Sequence, residues 1–188
     1  MSKNCPMPLD PATSPTLSRR HALSAMAIMP LVVAEAATAD DVIARLLAHT
    51  QQANAALMRG DAETYRKMVA ITDDFTLMSP FGGEPSKASQ YATPEKWDRM
   101  ARFFKNGTHK HEVVQSYGSQ DMVVLALIER DQVEVGGLPA QEWALRVTLV
   151  YRRDGAQWRL VHRHADPLAN GISLQQAAAL ARGWPASE

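Results

Sequence analysis

From Asp40 the apolar positions Ile43, Leu46, Leu47 and Leu57, with Thr50 and Asn54 on the same stripe, recur at i, i+3, i+4, i+7. This spacing predicts an amphipathic helix with Asp40 or Asp41 as its cap and Gly60 as its end. Asp61 can cap a second, short helix whose stripe is Tyr65, Met68 and Val69. The period changes to two over Asp73–Met78, which predicts a short strand. Ser79-Pro80-Phe81-Gly82-Gly83 breaks it, and the polar segment up to Thr93 has no clear period. It reads as a surface loop able to act as a lid. Thr93-Pro94 starts a helix with a face of Trp97, Met100, Ala101 and Phe104, and Asn106-Gly107 reads as its end.

Four strands follow, His109–Tyr117, Met122–Val135, Trp143–Arg153 and Gln157–Ala165, separated by Gly-containing turns. The centre of the second, Met122–Ile128, is apolar on both faces, and Glu129-Arg130-Asp131 marks where that strand is expected to reach water. Ser173-Leu174-Gln175-Gln176 is a capping-box pattern for a last short helix, ended by Gly183, that Leu174, Ala178 and Ala181 would pack back onto the domain. Helices come first and an antiparallel meander last. That order predicts an α+β domain with helices covering one face of a curved sheet.

Residues 1–39 read as an export signal rather than structure. Ser18-Arg19-Arg20 precedes an apolar stretch, Ala22–Val33, and Ala37-Thr38-Ala39 offers a small-x-small cleavage site before Asp40. The paired arginines resemble a twin-arginine signal, which implies a periplasmic or secreted protein. The stretch of about 12 residues is too short to span a hydrocarbon core of roughly 30 Å, so no membrane association is expected after cleavage. The domain proper is expected over residues 40–170, with a C-terminal helix and tail over 171–188. The only cysteine, Cys5, lies in the signal, so thiol chemistry drops out. The formal net charge is zero and there is no basic run with interleaved aromatics, which argues against nucleic acid as a partner.

The stretch Arg146-Val147-Thr148-Leu149-Val150-Tyr151-Arg152-Arg153-Asp154-Gly155, followed by Trp158-Arg159-Leu160-Val161-His162-Arg163-His164, resembles the ending of SnoaL-like domains in the nuclear transport factor 2-like (ketosteroid isomerase-like) superfamily. Arg59-Gly60-Asp61 and the strand at Asp74–Ser79 also fit such domains. The resemblance covers about residues 41–167. It implies a cone-shaped domain whose sheet wraps around the long helices and leaves an apolar pocket open at one end. It also implies a homodimer through the outer face of the sheet. The superfamily holds isomerases, cyclases and dehydratases beside non-catalytic binding and assembly domains, so fold alone does not fix activity.

Strict alternation puts Trp158, Leu160, His162, His164 and Asp166 on one face of the last strand, expected to be the pocket side. His164 is the candidate general base, oriented by His162 or Asp166. Each has a plainer reading: a histidine closing the cone on a loop carbonyl, an aspartate ending a strand before Pro167. Arg146 is either a clamp for an anionic oxygen or an ion-pair partner of Glu129. Trp97, Phe104, Tyr91 and Phe81 are candidates for the pocket wall or lid, with Trp97 and Phe104, at helical spacing, reading more readily as core, and Glu129 stands beside Arg146 among the candidate ligand contacts. His109-Lys110-His111 is a second His-x-His pair, but it is expected to lie too far from the last strand to share an ion. No metal and no cofactor are expected. The ligand expected is a small apolar molecule bearing a carbonyl, turned over by isomerase-, cyclase- or hydratase-type chemistry. The alternative is a non-catalytic binding or dimerisation domain.

Overall fold

The computed structural model describes residues 38–91 and 93–182. Nearly all of the expected export signal, and Gly183, lie outside the described residues. Helix α1 spans Ala39–Met58. Its cap is Thr38, not Asp40 or Asp41: the Thr38 hydroxyl accepts from the Asp41 N–H at 3.2 Å, and the Asp41 carboxylate accepts from the Thr38 N–H at 3.1 Å. Asp41 thus closes a capping box from inside the first turn. Gly60, at φ 89°, ends the helix as expected. Helix α2, Ala62–Met68, is capped by Asp61, whose carboxylate accepts from the Thr64 N–H at 3.0 Å.

Strand β1 runs over Ile71–Met78. The segment read as an irregular loop contains a two-residue strand β2, Ser86–Lys87, and a single-turn helix α3, Ala88–Tyr91. Helix α4 is Pro94–Phe103, with Thr93 as its cap. Four long strands follow: β3 Phe104–Gly118, β4 Met122–Val135, β5 Gln141–Asp154 and β6 Gln157–Pro167. The sheet order is β2-β1-β6-β5-β4-β3. The meander is antiparallel, but β1 pairs parallel to β6, so the sheet is mixed rather than wholly antiparallel.

Helix α4 stops three residues before the expected Asn106-Gly107 end. Those two residues lie inside β3 as a bulge, with the register to β4 shifting between Lys105 and Thr108. Asn106 takes the left-handed conformation, φ 54°, which asparagine tolerates as well in a bulge as after a helix. Gly107 is there for space: a Cβ would lie 2.7 Å from the Val133 side chain and 2.8 Å from the Met58 carbonyl oxygen.

The inner face of the sheet carries the core. Val123, Leu125 and Leu127 of β4 and Leu145, Val147, Leu149 and Tyr151 of β5 alternate inward, joined by Leu160 and Ala165 of β6, under Leu46 of α1 and Phe75 and Tyr91. A second cluster joins Ala53, Leu57 and Met58 of α1 and Tyr65 of α2 to Val133 and Val135. Glu129 and Asp131 sit on this inner face and are buried, contrary to the expectation that β4 reaches water there. Helix α5, Leu174–Leu180, has its capping box but buries nothing: Leu174 and Leu180 are both exposed, so the expected packing onto the domain is absent.

Candidate functional site

One irregularity decides which side chains face inward. Across β5 and β6, Val150 pairs with His162 but Tyr151 pairs with Leu160, leaving Val161 as an extra residue. A bulge of one residue reverses the alternation beyond it. Leu160 faces the core, and so do Arg163 and Ala165, opposite Leu149 and Val147. His162, His164 and Asp166 turn to the outer face, opposite Val150, Thr148 and Arg146. The expectation of two imidazoles and a carboxylate lining the pocket is therefore overturned by the register.

The structure does bring these outer residues together. His162 Nδ1 lies 2.7 Å from the Thr76 hydroxyl. His164 Nε2 lies 3.4 Å from Asp166 Oδ1, and Arg146 lies 3.6 Å from Asp166 Oδ2. Arg146 is 63 % exposed and does not pair with Glu129, so it neither clamps an anion in the pocket nor neutralises the buried carboxylate. His109 and His111 lie on the inner face, across the sheet from His162 and His164. Among the described residues no group of three or more His, Cys, Asp or Glu is placed to share a metal ion.

The inner face opens between α1, α2, α4 and the sheet into a chamber of about 270 Å³. Its wall is apolar and aromatic, formed by Leu57, Met58, Leu77, Met100, Phe103, Phe104, Trp143 and Leu145. Phe81 covers it, packed edge-on against Phe103 at 5.4 Å and tilted on Trp143 at 5.6 Å. Tyr91, Phe104 and Glu129 line the chamber. Trp97 instead packs behind it, its ring 6.1 Å from Tyr65 and 5.5 Å from Tyr91.

The polar floor is a buried ion pair. Arg163 donates to both Glu129 oxygens, at 2.9 and 2.7 Å, and the Asn54 amide donates to Glu129 Oε1 at 2.8 Å. Glu129 is 2 % exposed and Arg163 17 %, and both line the chamber. Burial works to raise the Glu129 pKa, but the Arg163 charge and its hydrogen bonds reverse this and hold the carboxyl below its usual range. Burial likewise opposes the Arg163 charge, and Glu129 more than restores it, so both groups are ionised. The Tyr65 and Tyr91 hydroxyls lie 3.4 Å apart beside this pair, both pushed up by burial and so protonated. One hydroxyl hydrogen joins the two oxygens, which leaves the other free to donate. The floor thus presents N–H and O–H donors to whatever fills the chamber.

Beside Glu129 on the same face lies a second polar pair. His109 Nδ1 is 2.6 Å from Asp131 Oδ1, with both side chains fully enclosed. Burial raises the Asp131 pKa against the pull of the His109 hydrogen bond. His111, directly across from Glu129 in the register, is shifted down by burial and by His109.

Arg163, Tyr65 and Asn54 were not among the candidates read from the sequence. The one signal for Arg163 was that Leu160 and Ala165, both core-type residues, stand an odd number of positions apart. Strict alternation cannot bury both.

A SnoaL-like domain family profile matches residues 46–169. No curated protein matches the sequence. Among solved structures, an NTF2-like superfamily protein from Salmonella enterica superposes with a TM-score of 0.57 at 14 % identity, over 73 % of this chain and 99 % of the other. A candidate dehydratase of the NTF2-like family from Streptomyces avermitilis gives a TM-score of 0.54 at 21 % identity, covering 70 % and 99 %. A candidate calcium/calmodulin-dependent protein kinase II association domain from Xanthomonas campestris gives 0.53 at 16 %, covering 73 % and 93 %. At these identities the likeness is one of fold. With the profile spanning most of the chain, and with helices laid into a curved mixed sheet, the protein belongs to the SnoaL-like family of NTF2-like domains.

Proposed function

We propose that this chain is a small-molecule pocket protein whose ligand occupies the chamber under Phe81, with a carbonyl-type oxygen toward Arg163 and the tyrosine hydroxyls. The observation that carries this reading is the ion pair itself. Arg163 and Glu129 are withdrawn from water, yet they face a cavity instead of being packed over. The aromatic wall supplies apolar contact, and the few converging donors supply orientation, the usual composition of a ligand site. The chemistry such a floor supports is stabilisation of negative charge on a carbonyl oxygen, a step shared by isomerisation, cyclisation and dehydration. Proton abstraction in the chamber by His162, His164 or Asp166 is not supported, because they lie on the other side of the sheet. Native mass spectrometry of protein purified without denaturation tests the reading. A small molecule retained by the wild type and lost from the chamber-filling variant Leu145→Trp supports it, and equal retention by both refutes it.

A second reading, self-association, is favoured by the outer face. There Tyr117, Met122, Val124, Ala126, Ile128 and Val150 form an apolar surface that solvent reaches, with Tyr117 60 % exposed. Apolar patches of this kind mark interaction sites. We place a second copy of the chain on this face, in keeping with the association-domain relative. Export to the periplasm, argued from Arg19-Arg20 and the apolar stretch after them, belongs to the same proposal.

A further inference from the structure

The mouth of the chamber carries charge that the floor does not explain. Lys96, Arg99, Met100 and Phe103 of α4 all line the chamber, a stripe at i, i+3, i+4, i+7 that is cationic at its N-terminal end and apolar at its C-terminal end. Lys96 and Arg99 are exposed, and neither has a carboxylate within 4.0 Å among the described residues. Glu95 and Asp98 stand on the same helix but do not line the chamber. The one acid that does, Glu129, is neutralised by Arg163. The chamber and its mouth therefore hold an excess of two positive charges.

Lys96 is also poorly placed for the helix. It sits in the first turn of α4, where the helix dipole is positive and favours anions over cations. Helix stability would favour an acid at this position, so the cation is better explained by what it faces. The dipole and the two side chains add to one positive potential at the mouth, above an apolar interior.

We infer that the ligand is an amphipathic carboxylate: an apolar body inside the chamber, with its anionic head held at the mouth by Lys96 and Arg99. The inference rests on the chamber being a ligand site and names the class of molecule that enters it. Together with the donors at the floor, it describes an apolar acid with an acceptor oxygen at the far end. A chamber of about 270 Å³ suits a single short chain or ring system and is too small for a two-chain lipid.

Isothermal titration calorimetry with octanoate, octanol and octylamine at low ionic strength tests this, since the three share an apolar body and differ in head charge. The wild type is expected to bind octanoate roughly tenfold or more tightly than octanol, and octylamine most weakly. Raising the salt concentration should erode that preference. The double variant Lys96→Glu/Arg99→Glu, whose sites are exposed and whose fold circular dichroism checks, should prefer octylamine over octanoate with octanol unchanged. Equal affinity for octanoate and octanol in the wild type, or an order left unaltered by the charge reversal, overturns the anion inference while leaving the chamber reading standing. Binding of all three probes unaffected by Leu145→Trp, or no saturable binding of any, overturns the chamber reading and the inference with it.

Discussion

Glu129 and Arg163 would each be costly to bury alone, and together they are held by two charge-assisted hydrogen bonds and the Asn54 amide. Removing one partner leaves the other charged with no counter-ion, a loss of about 3–5 kcal/mol for a buried pair. Glu129→Ala should therefore shift the urea midpoint far down, while Arg146→Ala, whose partner Asp166 lies at 3.6 Å in the open, should leave it unmoved. The reverse ranking would mean that the faces of β5 and β6 are misassigned. Histidines set the response to mild acid. His111 is shifted down by burial and His109, and His162 by burial and His164, both from an ordinary value of 6.5. As pH falls through that value the unfolded chain takes up protons before the folded one, so stability declines. Glu129, held low, keeps its contribution above its ordinary value of 4.5 and loses it only as pH falls through its lower folded value. The melting temperature should thus drop modestly between pH 7.5 and 5.5, and His111→Gln/His162→Gln should flatten that drop. A slope unchanged by the double substitution would count against these two residues as its source.

The elements were largely legible because hydrophobic period and turn residues agree along most of the chain. The meander from His109 to Ala165, its Gly turns, and the caps at Asp61, Thr93 and Ser173 were all readable. The bulges were not. Asn106-Gly107 carries the same local chemistry after a helix as within a bulged strand, and tertiary packing chooses between the two. That packing makes a prediction. Gly107→Ala places a methyl group 2.7 Å from Val133 and should destabilise by about 1–3 kcal/mol as overpacking does, read as a lower denaturant midpoint with an unchanged m-value. At Val161 no residue type announces the extra position, yet it decides whether His162 and His164 or Arg163 enter the core. The bulge accounts for the misreading of His162, His164 and Asp166, while Arg146 on β5 and Trp97 on α4 were misplaced without one. Tyr91, Phe104 and Glu129, whose placement did not depend on that parity, were candidates that do line the chamber.

For the molecule as a whole, two faces of one sheet divide the chemistry. The inner face carries the chamber, and the outer carries an apolar field edged by His162, His164, Arg146 and Asp166. If the outer field joins two copies, light scattering after size exclusion should give twice the chain mass, and Ala126→Lys should return it to the monomer without loss of helicity. A wild type that is monomeric at high concentration would leave the face without its proposed partner. The fold could be recognised from the final hairpin together with the whole-chain order of elements, neither of which needs the register. Which face a given imidazole takes needs the register at every residue.

If the proposed leader is removed on export, the capping box at the start of α1 bears on where it is cut. A peptidase cutting after Ala39, as the Ala37-Thr38-Ala39 pattern suggests, would remove Thr38 and strip the first turn of its cap. Ala34-Glu35-Ala36 offers a second small-x-small site two residues before that cap. Cutting there leaves the box intact in the released chain. Intact mass measurement of exported protein should find Ala37 as the first residue, so the same threonine that starts the helix would also mark how far the leader can be trimmed.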